Sequence, residues 1–367
     1  MRRVSEGGDP GDASGVVRCR VPLRVSFGGG GTDVAPYSAE HGGVALSATI
    51  ARYVVATVAP RGAPEVAVHS VDYRTTATFS IHGDPLYDGN LDLVKAVVHR
   101  VDPSWRCGLS VQLESDAVAG SGLGASSAVV VATILAVARV LGVQVEWRQA
   151  AELAYRVERE DLGIAGGYQD QYAAALGGLN WMEFGAGGQV AVEPVAVAPD
   201  VLEELECRLI LWFVGKTRVS GGILARQIRN YEQGRGPTRA ALDEAKAVAY
   251  DLRRALVRGR LDDFGSLLHD GWLAKRQFAT GVTDPTIDSL YAAARSAGAL
   301  GGKILGAGGG GFLLLYVPDS RRSRVLEALE RVAGARAPRL LFDPRGPRTW
   351  RAGAVAGMGG RLRGFIA

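Results

Sequence analysis

The stretch Ala119-Gly120-Ser121-Gly122-Leu123-Gly124-Ala125-Ser126-Ser127-Ala128 follows a predicted strand over residues 109–113 and opens a predicted helix over residues 129–141. Three glycines and two serines at a helix start leave backbone N–H groups free to face a ligand. The helix dipole adds partial positive charge at the same point. The stretch therefore predicts a phosphate-binding loop.

Two further glycine runs lie far from this loop in the sequence. Residues 28–33 read Gly-Gly-Gly-Gly-Thr-Asp after a predicted strand over residues 16–25. Residues 306–311 read Gly-Ala-Gly-Gly-Gly-Gly between predicted strands over residues 303–305 and 312–317. Such runs cost backbone entropy unless the backbone must approach another group closely. Three distant glycine loops carry more functional information than any one of them.

The composition bounds the possible functions. The chain has 367 residues, of which 47% are hydrophobic and 22% charged, as in a globular protein large enough for two domains. The net charge of +4 is dispersed, with no basic block, which argues against nucleic-acid binding. The longest apolar run, residues 128–138, is too short to span a bilayer, so no membrane partner is expected. Three cysteines without metal-like spacing fit a reducing compartment, and we expect a cytoplasmic protein.

The domain organisation follows from the order of predicted elements. Residues 1–15 predict a disordered tail, residues 16–200 an N-terminal nucleotide-binding domain, and residues 201–367 a C-terminal α+β domain. Strands predicted over residues 44–50 and 53–59 pair with each other and indicate an antiparallel or mixed sheet.

Two interpretations of the phosphate loop remain open at this level. Gly120-x-Gly122-x-x-Ala125, with Glu146 at about the expected distance, also fits a dinucleotide-binding fingerprint of a dehydrogenase. Residues 143–145 leave little room for the second strand which that fold requires. The alternative is a kinase-type loop, in which the serine hydroxyls reach a metal instead of only capping the helix.

Three motifs together resemble the GHMP kinases, the family of galactokinase, homoserine, mevalonate and phosphomevalonate kinases. They are Arg20-x-Pro22-x-Arg24-x-x-Phe27 with the first glycine run, Gly122-Leu123-Gly124-Ala125-Ser126-Ser127-Ala128, and Leu305 to Phe312. The resemblance implies a two-domain α+β fold, with a mixed-sheet N-terminal domain, a ferredoxin-like C-terminal domain and ATP as cofactor. It also implies which residues bind ATP: Gly120, Ser121, Gly122, Leu123, Gly124, Ala125, Ser126 and Ser127.

The resemblance also assigns catalytic and metal-binding roles. Asp170 matches the family's catalytic aspartate, which accepts or orients the proton of the sugar hydroxyl, and Arg24 matches the arginine that steadies it. Ser127 and Glu158 match the ligands of Mg²⁺, a cation that prefers oxygen donors. Glu160 is the alternative to Glu158 on another helical face.

A sugar phosphate is the substrate that the resemblance implies. Asp33, beside Gly30, Gly31 and Thr32, is expected to bind sugar hydroxyls, and the loop containing Gly308, Gly309 and Gly310 to close over the site. Gly30-Gly31 stand where galactokinase carries Glu-His, which favours a different or larger sugar. A substrate phosphate needs cations, for which the candidates are Lys216, Arg218, Lys275 and Arg276, with Lys303 a weaker one.

Residues 166–172 and 301–305 narrow the resemblance to the branch that phosphorylates the anomeric hydroxyl of D-glycero-D-manno-heptose 7-phosphate. The product would be the 1,7-bisphosphate, on the way to nucleotide-activated heptose. The alternatives are another sugar 1-kinase, such as one acting on fucose or galactose, and a non-catalytic sugar sensor on the same fold. The oligomeric state stays open, with a homodimer as one option.

Overall fold

The computed structural model describes residues 15–80, 82, 86–101, 107–117, 120–217, 221–333 and 339–352. Its strands are β1 (Val17–Gly28), β2 (Gly43–Arg61), β3 (Glu65–Ser70), β4 (Thr75–Ser80), β5 (Gly108–Ser115), β6 (Leu179–Phe184), β7 (Val190–Pro194), β8 (Leu209–Phe213), β9 (Gly301–Ile304), β10 (Phe312–Tyr316) and β11 (Arg348–Arg351). Its α-helices are α1 (Tyr37–His41), α2 (Asp92–Val101), α3 (Ala125–Val140), α4 (Trp147–Arg156), α5 (Gln169–Leu176), α6 (Pro199–Arg208), α7 (Gly221–Glu232), α8 (Thr238–Val257), α9 (Leu261–Lys275), α10 (Pro285–Ala297) and α11 (Arg322–Ala333).

The strands form two sheets. The larger has the order β11-β1-β2-β5-β3-β4, with β6 and β7 continuing from the first half of β2. Its pairings are antiparallel except that of β3 with β5, so it is a mixed sheet as predicted. The smaller sheet, β8-β10-β9, is antiparallel. This two-sheet α+β architecture agrees with the predicted fold class.

The two strands predicted over residues 44–50 and 53–59 are one strand, so the prediction that they pair with each other is wrong. β2 runs unbroken for 19 residues, and its first half pairs with β6 while its second half pairs with β5. A bulge opposite β1 absorbs the irregularity, because Pro22 faces Tyr53 while Leu23 faces Ile50. The sequence between residues 50 and 53 contains no glycine or proline that would end a strand.

Helix α3 begins at Ala125, four residues before the predicted start. It lies against β1 and β2 and buries almost its whole length, which explains its nearly uninterrupted apolar sequence. The early start places Ser126 and Ser127 in the first helical turn. Gly124 precedes the helix in the left-handed conformation (φ 73°), which glycine adopts without strain.

Helices α8 and α9 connect the two halves of the molecule. Both contact β1, and Leu252 and Ala249 of α8 lie directly against Gly28 at the end of β1. The smaller sheet packs on α9 from the other side through β9. The glycine run that follows β1 therefore lies where the two sheets approach each other.

The last described segment returns to the larger sheet. β11 pairs with β1, Phe342 bridges Ile50, and Leu340 is buried in the larger core. The predicted C-terminal domain, residues 201–367, thus contains a segment that the structure places on the other sheet. The division at residue 200 otherwise stays a prediction, and the tail predicted over residues 1–15 lies outside the described residues except for Gly15. No helix in the described ranges is both long and apolar enough to cross a bilayer.

Candidate active site

The phosphate loop lies between β5 and α3, and its described part begins at Gly120. Gly120, Gly122 and Gly124 have φ angles of 74°, 81° and 73°, left-handed values that favour glycine. The Ser121 hydroxyl is buried and has no hydrogen-bond partner among the described residues. The first-turn N–H groups of α3 have no helical carbonyl to bond, so they add donors to the loop. An orphaned hydroxyl beside free N–H groups is the arrangement that an anion completes.

The phosphate loop is in direct contact with the third glycine run. The backbone of Gly122 lies so close to Leu305 that an added Cβ would stand 2.5 Å from the Leu305 carbonyl oxygen. At Gly311, an added Cβ would stand 2.2 Å from the Ser121 carbonyl oxygen, and Phe312 N–H donates to that same oxygen at 3.0 Å. These glycines therefore bring two loops into contact, in addition to the predicted roles of binding ATP and closing over the site.

The members of the third run differ in their surroundings. Gly308 and Gly310 line the cleft, whereas Gly309 does not. The Gly309 N–H instead donates to the Val282 carbonyl at 2.8 Å. A side chain at Gly308 would also meet the Val282 backbone, so Val282 fixes the position of this part of the run.

Arg24 and Asp170 form a bidentate ion pair in the cleft. Arg24 Nε and Nη2 donate to the two Asp170 carboxylate oxygens, each at 2.8 Å. Arg24 Nη1 donates to the Gly122 carbonyl, which ties the pair to the phosphate loop. Arg24 is buried, while the side chain of Asp170 stays 33% exposed and accessible from the cleft. The guanidinium thus fixes the orientation of a carboxylate that a substrate can reach.

Glu158 is buried next to the first turn of α3, where it faces Ser126 and Ser127 of the phosphate loop. Its carboxylate accepts hydrogen bonds from Ser126 Oγ, from Ser127 Oγ at 2.7 Å and from Gln171 Nε2. Glu158 lies in a π-helical turn, Val157–Asp161, where a continuous α-helix was predicted over residues 147–160. Such turns are frequent at functional sites. Glu160 points away and pairs with Arg100 at 3.3 Å, as the predicted surface alternative.

The first glycine run, residues 28–33 at the end of β1, is held in place by Asp33. The buried Asp33 carboxylate accepts N–H groups of Gly31 at 2.9 Å and Gln169 at 3.0 Å, which join the loop to the start of α5. Burial raises the pKa of Asp33, and the nearby Asp170 charge raises it further, while the two N–H groups oppose the shift. Thr32 lies outside the cleft lining, and its hydroxyl donates to the Gly29 carbonyl at 2.8 Å.

Gly30 and Gly31 face other protein groups. A side chain at Gly30 would stand 3.2 Å from Ser26 and Gln169, and one at Gly31 would stand 2.7 Å from the Phe278 ring. The two glycines line the cleft, but the space next to them is partly filled. Their lack of side chains is thus explained in part by packing and not only by the size of a sugar.

Two residues missed by sequence reasoning complete this wall. Gln227 of α7 lines the cleft and donates from Nε2 to the Gly31 carbonyl at 2.9 Å. Phe278, just after α9, packs on Gly31. Gln227 lies 196 residues from Gly31 and Phe278 still farther along the chain, and neither stands in a recognisable motif.

The cations predicted for a substrate phosphate are dispersed. Lys216 is 45% exposed, pairs with Asp284 and does not line the cleft. Arg218 lies outside the described residues. Arg276 pairs with Asp288 at 3.1 Å. Lys275 and Lys303 are both buried and line the cleft near Arg24.

A second, more apolar cavity adjoins the phosphate loop. It shares Ala125, Ser126 and Ile164 with the cleft, and sequence reasoning did not identify it. Its walls come from dispersed segments: Tyr73, Tyr87, Leu91, Leu93, Val94, Leu113, Val129 and Leu162. A cavity of this character can take a largely apolar part of a ligand.

Known proteins resemble this chain along most of its length. The model for the GHMP kinases N terminal domain matches residues 92–178, and the GHMP kinases C terminal model matches residues 252–334. The D-glycero-alpha-D-manno-heptose 7-phosphate kinase of Campylobacter jejuni is 33% identical over 341 residues, which cover 91% of this chain and 99% of that protein.

Solved structures and more distant relatives agree with this family. A D-glycero-D-manno-heptose 1-phosphate kinase from Bacteroides thetaiotaomicron has a TM-score of 0.75 at 31% identity, covering 92% of this chain and 99% of that one. The L-fucokinase/L-fucose-1-P guanylyltransferase of Bacteroides fragilis is 28% identical over 334 residues, covering 83% of this chain and 35% of its own length.

The fold and the cleft define a phosphotransferase that uses a hydroxyl group as acceptor and ATP as donor. The chain belongs to the GHMP kinase family. The dinucleotide-binding interpretation is wrong, because the phosphate loop joins a strand of a mixed sheet and, among the described residues, no strand after α3 pairs in parallel with β5.

Proposed function

We propose that this enzyme transfers the γ-phosphoryl group of ATP to the anomeric C1 hydroxyl of D-glycero-D-manno-heptose 7-phosphate, giving the 1,7-bisphosphate. The observation that carries the proposal is the accessible Asp170 carboxylate, held in a bidentate ion pair by Arg24 next to the phosphate loop. A relative with 33% identity over nearly its whole length is named for this substrate.

Asp170 receives the acceptor hydroxyl. Its carboxylate orients the O–H group toward the phosphoryl group and takes the proton as the new O–P bond forms. Arg24 holds the carboxylate in place through two hydrogen bonds and reaches the phosphate loop through Gly122. The residues thereby supply positioning and charge, which phosphoryl transfer chiefly requires.

Ser127 and Glu158 are the proposed Mg²⁺ ligands, and their chemistry fits the ion. Hydroxyl and carboxylate oxygens are the donors that Mg²⁺ prefers, and Mg²⁺ takes few of them from protein when phosphates are present. The described residues contain no cluster of three or more His, Cys, Asp or Glu side chains, consistent with such a shared site. When bound, Mg²⁺ would neutralise the nucleotide phosphates.

The nucleoside of ATP is assigned to the apolar cavity beside the phosphate loop. The cavity meets the cleft at Ala125 and Ser126, where the phosphate loop turns into α3. A nucleotide with its phosphates at the loop therefore has an apolar space for its base within reach. Leu91, Val94 and Val129 supply contact surface for the base.

A second substrate class has one observation in its favour. A phosphorylated sugar requires a free cation, yet Lys216 and Arg276, two of the predicted cations, are engaged by acidic side chains. A sugar without a phosphate, such as fucose, needs no such partner, and a fucokinase is among the relatives. The names of the two heptose kinases differ in the position of the phosphate that they state, C7 in one and C1 in the other.

A single substrate panel separates these possibilities. ATP consumption by the purified full chain is measured with heptose 7-phosphate, heptose 1-phosphate, free heptose, L-fucose and D-galactose, and products are located by ³¹P NMR. We expect the highest kcat/KM with heptose 7-phosphate and a new anomeric phosphate signal. Preference for a free sugar would replace the proposed substrate, and sugar binding without ATP turnover would identify a sensor.

A further inference from the structure

Lys275 and Lys303 line the cleft without an acidic partner. Lys275 of α9 donates to the Ile304 carbonyl at 2.9 Å and to the Gly306 carbonyl, while Lys303 of β9 donates to the Phe27 carbonyl at 3.2 Å. Their exposed fractions are 6% and 5%. Among the described residues, neither lysine takes part in an ion pair. Burying a cation in this way is costly unless an anion compensates it.

The charged groups around the two lysines leave the cluster short of negative charge. Arg24 faces them from β1 and Asp170 from α5, and Asp170 is already bound by Arg24 through both oxygens. Burial lowers the pKa of Lys303 to about 7, and the Arg24 charge acts in the same direction. Burial also lowers the pKa of Lys275 well below its usual range, as do the charges of Lys303 and Arg24.

The position of these lysines differs from that expected of a binder for a remote sugar phosphate. The Arg24 charge acts on the pKa of both lysines and the Asp170 charge on the pKa of Lys275, so both lie near the ion pair where the acceptor hydroxyl would lie. Lys275 in addition contacts the third glycine run, which packs on the phosphate loop. An anion that compensated the two lysines would therefore lie between the phosphate loop and Asp170, where the phosphoryl group passes from ATP to the acceptor.

We propose that Lys303 and Lys275 bind the phosphoryl group in transit, and that this group is the anion which completes their cluster. The inference rests on the proposed kinase function and adds two catalytic residues to it. The bond from the ADP oxygen to phosphorus breaks, the bond from the sugar oxygen to phosphorus forms, and the hydroxyl proton passes to Asp170. The lysines donate N–H groups to the non-bridging oxygens and exchange no covalent bond.

Proton uptake from solvent follows from this arrangement. A lysine with a pKa of about 7 is about nine-tenths neutral at pH 8, and a phosphoryl anion beside it favours its charged form. ATP and sugar phosphates are fully ionised at pH 8, so they do not mask the uptake. Binding of both ligands at pH 8 should therefore draw in protons, about one of them through Lys303.

The kinetic test compares Lys303→Met with Lys246→Met. Lys246 also donates to a backbone carbonyl, that of His41, but lies outside the cleft lining. For Lys303→Met we expect kcat to fall about 10²–10³-fold, as on loss of a charge-stabilising donor, with the KM for the sugar changed less than about threefold. Lys246→Met should keep the wild-type kcat. A Lys303→Met enzyme with nearly wild-type kcat would overturn the proposal.

The second measurement uses the wild-type protein and does not depend on a variant folding. Calorimetric titration with Mg·AMP-PNP and the accepted sugar, in Tris and in HEPES at pH 8, gives the number of protons taken up. A wild-type uptake that falls by about one proton in Lys303→Met supports the proposal; unchanged uptake in that variant, or no uptake in wild type, overturns it. A wild-type chain that transfers phosphate to no sugar would instead reject the kinase function itself.

Discussion

Asp170 is the residue whose chemistry is easiest to separate from its contribution to stability. Its side chain is one-third exposed and, among the described residues, hydrogen-bonded to Arg24 alone, so the carboxylate can be altered without opening the core. We predict that Asp170→Asn lowers kcat about 10²–10⁴-fold, because an amide cannot accept the hydroxyl proton. Steady-state kinetics and a melting curve measure the two effects separately.

A matched control for Asp170 exists elsewhere in the chain. Asp262 also pairs with an arginine, Arg208, at 2.9 Å, but it is 65% exposed and outside the cleft. Asp262→Asn should leave kcat unchanged. Equal activity losses in the two variants, or none in either, would remove Asp170 from the mechanism.

Substitutions at Glu158 and at the nearby Glu160 test the proposal that Glu158 is a ligand of Mg²⁺. Glu158 is buried against Ser126 and Ser127, whereas Glu160 is 55% exposed beside Arg100. We predict that Glu158→Gln raises the Mg²⁺ concentration for half-maximal activity about 10-fold or more, and Glu160→Gln less than about twofold. A titration of activity with Mg²⁺ at fixed ATP decides between them. If the two variants behaved alike, Glu158 would have only a structural role.

Among the elements, the contact between the second and third glycine loops carries the sharpest prediction. Gly122→Ala combines a left-handed backbone with a Cβ placed 2.5 Å from the Leu305 oxygen. We expect it to separate the loops and raise the KM for ATP about 10-fold or more, since the donors around a phosphate tolerate little displacement. ATP titration of initial rates provides the measurement.

Gly142 supplies the control for this substitution. It has a similar φ of 72°, but an added Cβ would meet nothing within 4 Å. Gly142→Ala should therefore lower the free energy of unfolding by only about 1–2 kcal/mol, the cost of a left-handed backbone for a residue with a Cβ, with the KM for ATP unchanged. A large KM effect at Gly142, or none at Gly122, would contradict the role of the loop contact.

The sequence predicted the elements that are local and missed those that depend on distant partners. Glycine runs and strand alternation are patterns of consecutive residues, so the loops were predicted with their order. β2 was divided in two because its halves pair with different strands, β6 and β5. Gln227 and Phe278 were missed because their contacts with Gly31 arise only when α7 and α9 pack against the first loop.

The apolar cavity illustrates the same limit. Leu91, Leu113 and Leu162 are ordinary core residues in the sequence, and only the meeting of α2, β5 and the π-helical turn makes them one wall. Sequence motifs reflect local requirements of the backbone, whereas a cavity arises where side chains from distant segments leave space unfilled. The cavity could therefore not be predicted from motifs.

At the scale of the whole molecule, the packing of the last described segment on the larger sheet can be tested by substituting two adjacent leucines. Leu340 is 2% exposed in the larger core, while Leu341 is 39% exposed. We predict that Leu340→Ala lowers the free energy of unfolding by about 2–4 kcal/mol, as for other buried leucines, and Leu341→Ala by less than about 1 kcal/mol. Denaturant titration of both variants gives the values. Similar losses would mean that this segment does not pack on the core.

The contact of the two glycine loops has a consequence for synthesis of the protein. Residues 120–124 leave the ribosome long before residues 305–311, yet each loop is shaped by the other's backbone. A nascent or truncated chain therefore cannot present the finished nucleotide cradle, however well its first sheet has folded. Tight ATP binding is therefore expected only after residues 305–311 have been made and have folded against the phosphate loop.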